Sequence, residues 1–126
     1  MGVLRDIVID GRRAPGLARF WASLMDGYAV RAYDDVEIAR LASQGLTPES
    51  DPNVAVDGPG PTLFFQEVPE PRMAAKNRLH LDIEVGDRPA EVERLTADGA
   101  TVIAQFDSWT VLQDPEGNEF CLTDPH

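Results

Sequence analysis

The chain has 126 residues, 43% of them hydrophobic and 26% charged, enough for one globular domain with a real core and too few for two ordinary domains. Its formal net charge of -11 favours solubility and argues against nucleic acid or an anionic membrane surface as a partner. The single cysteine, Cys121, excludes an intrachain disulfide, no apolar run approaches the roughly 20 residues of a membrane span, and the first residues lack a secretory pattern, so a cytoplasmic protein is expected.

In residues 6–10, Ile7 and Ile9 alternate with Asp6, Val8 and Asp10, the period of a half-buried strand. Residues 14–26 put Leu17, Phe20, Trp21, Leu24 and Met25 on one helical face, with Pro15 suited to the first turn and Gly27 to the stop. Residues 35–44 read as a short helix with Ile38, Leu41 and Ala42 on one face, and Asp34 and Glu37 stand at capping-box spacing. The turn-rich residues 47–53 follow. The stretch 35–53 is either a lid over a pocket or a surface insertion. Residues 60–65 form a further strand, and Pro69 and Pro71 mark a linker over 69–77.

Leu79, Leu81, Ile83 and Val85 then alternate with His80, Asp82 and Glu84. Asp87 is a plausible N-cap, Pro89 opens a helix carrying Val92 and Leu95, and Gly99 closes it. Shifting the first copy by 74 positions lays Asp6 on His80, Ile7 on Leu81, Ile9 on Ile83 and Pro15 on Pro89 without a gap. Gly27 meets Gly99 after a two-residue slip, and residues 60–65 lie over 117–122. The chain therefore reads as an internal duplication, with the insertion at 35–53 present in the first copy alone. Module one spans about 1–68 and module two 78–126 of a single domain.

The tracts KNRLHLDIEV and WTVLQDPEGNEFCL, with FWASLMDGY in the first half, resemble the vicinal oxygen chelate superfamily, especially its glyoxalase and bleomycin-resistance-like members. The most specific piece is Asp114-Pro115-Glu116-Gly117-Asn118, a turn ahead of the last strand, where Asp and Pro start a turn and Gly and Asn accept unusual backbone angles. The resemblance covers nearly the whole chain apart from about 35–53. It implies an α+β fold of two tandem βαβββ modules, forming a curved mixed-sheet cup with helices on its convex side. It also implies a small-molecule site in the cup, closed within one chain or across a homodimer. In catalytic members a divalent metal held by His, Gln or Glu chelates two neighbouring substrate oxygens and stabilises an enolate-like anion.

Strand alternation predicts that Ile7, Ile9, Leu63, Phe65, Leu81, Ile83, Phe120 and Leu122 pack under the helices, leaving Asp6, Val8, Phe64, Gln66, His80, Asp82, Cys121 and Thr123 on the opposite face. By the resemblance, the four metal positions fall on Asp6, Phe64, His80 and Cys121. Phe cannot ligate a cation and Cys is softer than a carboxylate, so no catalytic metal and no other cofactor is expected. Gln66, on the same face as Phe64, is an alternative second ligand or a hydrogen-bonding group for a bound molecule.

Each of these residues has a plain and a functional reading. His80 is a structural histidine, or a ligand contact and general base with Asp82 orienting its ring. Cys121 is a small buried hydrophobe or a reactive thiol. Trp109 is a core residue or a stacking surface at the cup's rim. Arg72, Lys76 and Arg78 are paired with carboxylates or draw in an anionic ligand. Two functions follow. The first is a binding protein for a hydrophobic or planar small molecule, an antibiotic among them, with Asp6, Phe64, Gln66, Trp109 and Cys121 as ligand contacts. The second is a lyase or isomerase of the glyoxalase type, with His80 and Asp82 catalytic, with or without a divalent metal.

Overall fold

The structure is a computed structural model that describes residues 2–72 and 78–125. Residues 73–77 of the expected linker, Lys76 among them, lie outside the described residues. The chain divides into two compact units, Met1–Pro71 and Arg72–His126.

The first unit runs β1 (Asp6–Gly11), α1 (Ala14–Leu24), β2 (Ala29–Val30), α2 (Asp35–Ser43), a 3-10 turn (Pro48–Ser50), β3 (Asn53–Asp57) and β4 (Thr62–Glu67). Its sheet has the order β1-β4-β3-β2, with β1 parallel to β4 and the other pairs antiparallel. The second unit runs β5 (Leu81–Glu84), α3 (Arg88–Ala97), β6 (Thr101–Gln105), β7 (Trp109–Gln113) and β8 (Glu119–Thr123). Its order, β5-β8-β7-β6, repeats that arrangement, again with the first and last strands parallel. These are two tandem βαβββ modules, each with a four-stranded mixed sheet. The duplication extends to register. Ile7 lies opposite Leu63 in the first module and Leu81 opposite Phe120 in the second, the pairs that the sequence shift equates.

Helix α1 starts with Pro15 in its first turn, where a missing N–H costs no helical hydrogen bond. Leu17, Phe20, Trp21 and Leu24 are buried against β1, β3 and β4. The helix ends two residues before the expected position 26, because Met25 turns to extended backbone and Gly27, at φ 76°, reverses the chain into β2. Helices α2 and α3 begin as the sequence predicts: the Asp34 carboxylate accepts from the Glu37 N–H at 2.8 Å, and the Asp87 carboxylate from Ala90 N–H at 3.1 Å. Of the apolar face expected on α2, only Leu41 is buried; Ile38 and Ala42 are exposed, so a single side chain anchors this helix.

The alternation of the central strands holds. Leu63, Phe65, Phe120 and Leu122 are fully buried, each stabilising its module by about 1.5–3 kcal/mol. Ile7, Ile9, Leu81 and Ile83 are half-buried, since β1 and β5 are edge strands of their sheets. Strand β5 begins at Leu81, and Leu79, expected to share its buried face, is exposed: pairing with β8 starts at Leu81 opposite Phe120.

Candidate functional site

Each module leaves one sheet face uncovered by its helix, and each carries a cavity on that face. In the second module, Asp82 sits in β5 directly opposite Cys121 of β8, and Cys121 lies opposite Val111 of β7. The two-residue period puts His80, just ahead of β5, on the same side as Asp82. His80 Nε2 stands 3.3 Å from Asp82 Oδ1. Donor atoms of His80, Asp82 and Cys121 all lie within 4.8 Å of one another. Cys121 is 7% exposed, while the side chains of His80 and Asp82 are 42% and 62% exposed, so the group is closed below and open above.

These three residues line a cavity of about 340 Å³ together with Ser108, Trp109, Thr123, Asp124 and Pro125. Trp109 is 39% exposed and stacks on Phe106, with ring centroids 4.4 Å apart and planes inclined by 16°. The far wall is fixed by Arg88 at the start of α3. Its guanidinium donates to Asp124 Oδ1 at 2.8 Å, to Thr110 Oγ1 at 2.8 Å and to the Asp107 carbonyl at 2.6 Å. The Arg88 hydrogen bond holds the Asp124 carboxyl below the ordinary aspartate value.

In the first module, Phe64 and Ala55 are paired neighbours on β4 and β3 and form part of a second cavity, also about 340 Å³. Its other walls come from Arg31 to Asp34, from Glu37 and Arg40 of α2, and from Asp51 and Asn53. The Tyr33 hydroxyl donates to Asp51 Oδ2 at 2.8 Å, and burial, reinforced by that carboxylate, raises the phenol well above its ordinary value. Both arginines are already matched: Arg31 makes two hydrogen bonds to Asp57, at 2.7 and 2.9 Å, and Arg40 pairs with Glu37.

The structure therefore gathers His80, Asp82, Trp109 and Cys121 around one cavity and places Phe64 at another. Asp6 and Gln66 line neither. Asp6 is engaged by Arg5 at 2.9 Å, and exposed Gln66 pairs in register with Asp10 and Asn53. Arg72 of the basic cluster pairs with Glu119 at 3.0 Å. Sequence periodicity missed Tyr33, Asp51, Arg88, Ser108 and Asp124, all supplied by loops, strand ends or a helix start. The helix read over 35–44, capped by Asp34, in a stretch for which a lid was one of two alternatives, was the signal pointing to the wall formed by α2.

The family's four-ligand metal centre does not fit the residues present. Phe64 offers no donor atom at the second position.

A family model described as a glyoxalase-like domain matches residues 6–123. The chain is similar to a solved glyoxalase/bleomycin resistance protein/dioxygenase family enzyme from Burkholderia phytofirmans PsJN, with 17% identity, 98% of each chain covered and a TM-score of 0.65. It is similar to the fosfomycin resistance protein FosX from Mesorhizobium loti, with 12% identity, 98% of this chain and 91% of that one covered, and a TM-score of 0.65. A third is the trypanothione-dependent glyoxalase I of Leishmania major, at 16% identity, 98% and 87% coverage and a TM-score of 0.63. At these identities the likeness shows the fold. No curated protein sequence matches the chain. Among the described residues, no helix is long and apolar enough to cross a membrane.

Proposed function

Because the chain belongs to the glyoxalase-like domain family of the vicinal oxygen chelate superfamily, we propose that it binds a planar or hydrophobic small molecule without the family's four-ligand catalytic metal. The observation that carries this reading is Phe64. At a position where catalytic relatives hold metal, this chain puts an aromatic ring on a cavity of about 340 Å³, within the size range of small-ligand pockets. The surrounding groups suit orientation of a bound molecule: the Tyr33–Asp51 pair and Asn53 are polar, Ala55 and Phe64 are apolar, and the arginine charges are already matched. Antibiotics with flat ring systems belong to the class such a wall accepts.

Ligand-observed NMR with a panel of planar aromatic compounds tests the reading. The wild-type chain should bind at least one of them, and Phe64→Ala should weaken that compound by about tenfold or more while far-UV circular dichroism stays unchanged. Equal affinity in the two proteins would remove the Phe64 cavity as the binding site.

A second reading rests on a different contact. The 3.3 Å separation of His80 Nε2 and Asp82 Oδ1 is the geometry of a histidine oriented by a carboxylate, the arrangement of a general base in a glyoxalase-type lyase or isomerase. Under this reading His80→Ala abolishes turnover of a candidate substrate and leaves its binding intact.

A further inference from the structure

We propose that residues 34–46 form a lid that swings as one body over the Phe64 cavity, admitting a molecule to the aromatic wall and closing behind it. The swing follows from how α2 is held; its use in ligand entry rests on the ligand reading above.

The three helices are held in different ways. Helix α1 buries seven of its eleven residues. Helix α3 buries Leu95 alone, yet Arg88 in its first turn ties it to Thr110 Oγ1, to Asp124 and to the carbonyls of Phe106 and Asp107. Helix α2 buries Leu41 alone and has no such tie. Among the described residues, every hydrogen bond and ion pair of residues 34–46 is made within the segment. Asp34 caps the Glu37 N–H, Glu37 pairs with Arg40, the Ser43 hydroxyl donates to the Arg40 carbonyl, and the Leu46 N–H returns to the Leu41 carbonyl at 2.9 Å. The segment is thus complete in itself, and with one buried anchor it lies at the low end of local stability.

The chain is fixed immediately outside it. Tyr33 is held by Asp51, and Arg31 by Asp57 and by its N–H to the Ala55 carbonyl at 2.9 Å. On the other side, Thr47 and Ser50 close a capping box, and Glu49 pairs with Arg19 of α1 at 3.1 Å. Asp34 (φ −88°, ψ 175°) and Thr47 (φ −128°, ψ 170°) are extended joints between these held residues and the helix. The Tyr33–Asp51 contact draws the two joints together, the form of a loop that moves about its base. Asp34, Glu37 and Arg40 line the cavity from the lid, and Asn53, Ala55 and Phe64 line it from the sheet. Because Glu37 and Arg40 satisfy one another, swinging outward breaks no hydrogen bond to the body and withdraws one buried side chain, Leu41.

Hydrogen–deuterium exchange of the full wild-type chain, read by mass spectrometry, tests the movement. Amides of 38–46 should exchange at least about a hundredfold faster than those of 18–24 in α1. Equal protection of the two segments overturns the lid. Access to the cavity is read with Ala55→Cys, a position 7% exposed on the sheet side of the cavity. Iodoacetamide labelling is followed by peptide mapping, with the buried Cys121 of the second module as the control for global unfolding. Adding Leu41→Ala should raise the labelling rate at position 55 by about tenfold or more and leave that of Cys121 unchanged. A rate at position 55 that stays the same, or rises only together with that of Cys121, overturns the proposal. If Leu41→Ala fails to fold, Leu41→Val takes its place with a smaller rise expected, and the wild-type exchange already decides the movement. The two readings fail separately: fast exchange and Leu41-dependent labelling in a protein that binds no planar compound would support the lid and sink the ligand reading.

Discussion

Tyr33 and Asp51 meet at 2.8 Å and pin together the two ends of the segment that the second module lacks. Asp51 is buried, and its other oxygen accepts from the Asn53 N–H at 3.0 Å, so each carboxylate oxygen has a donor. The tyrosine's raised folded value means that the pair's contribution is fully present below the ordinary phenol value of 10 and is lost as pH rises through the higher folded value. The difference between wild-type and Tyr33→Phe spectrophotometric titrations should therefore show a phenol ionising well above pH 10. Urea denaturation at pH 7 should show a loss of about 1–3 kcal/mol in the variant, because Asp51 loses its donor. A Tyr33 that ionises at its ordinary value would mean the pair is open to solvent.

Asp114 organises the turn before β8. Its carboxylate is 2% exposed and accepts from the Glu116 N–H and the Asn118 N–H at 2.9 Å each and from the Asn118 side chain at 3.0 Å. Gly117 sits at φ 91°, a conformation that penalises a side chain. Asp114→Ala leaves these half-buried donors without their acceptor, and we expect a loss of about 1–3 kcal/mol, or roughly 3–15 °C in Tm by calorimetry. A loss below about 0.5 kcal/mol would show that the turn holds without its carboxylate.

Arg88 and Arg31 make the chain sensitive to acid. The hydrogen bonds from Arg88 and Arg31 hold Asp124 and Asp57, respectively, below the ordinary value of 3.8. A carboxylate held low stabilises the folded state fully above its unfolded value, and the contribution disappears as pH falls through the folded value. The pairs thus protect at neutral pH and down to about pH 4, and fail below it. Acid unfolding followed by circular dichroism should have its midpoint at higher pH in Arg88→Gln than in the wild type, and at higher pH again when Arg31→Gln is added. An unmoved midpoint would assign acid unfolding to other carboxylates.

Much of the fold was legible because its rules are local. The alternation of Ile7 and Ile9 and of Leu63 and Phe65, and their echo in Leu81, Ile83, Phe120 and Leu122, fixes which face each strand buries. Asp34, Asp87, Pro15 and Pro89 mark helix starts by chemistry that depends on no distant partner. The same strand period explains why His80, Asp82 and Cys121 were expected on one side. The cavity walls were not legible. Asp6 and Gln66 share a face with Phe64, yet Tyr33, Arg40 and Asp51 are its companions, because the path of 31–53 depends on tertiary contacts such as Leu41 and the Tyr33 hydrogen bond. Ile38 and Ala42 show the same limit: a helical stripe identifies an apolar face but not whether anything covers it.

The two tryptophans report on different places. Trp21 is 1% exposed and meets Phe20 edge to face at 6.2 Å, deep in the core of the first module. Trp109 stands on the rim of the second-module cavity, stacked on Phe106. Acrylamide should quench one part of the wild-type emission and leave the rest shielded. Trp109→Phe should leave a shielded, blue-shifted spectrum belonging to Trp21. A planar compound that enters the second cavity quenches Trp109, and the quenching disappears in Trp109→Phe; one confined to the Phe64 cavity binds that variant with unchanged affinity. Emission equally accessible to acrylamide in the wild type and in Trp109→Phe would place Trp21 outside the packed core, contrary to the burial that anchors α1 on its sheet.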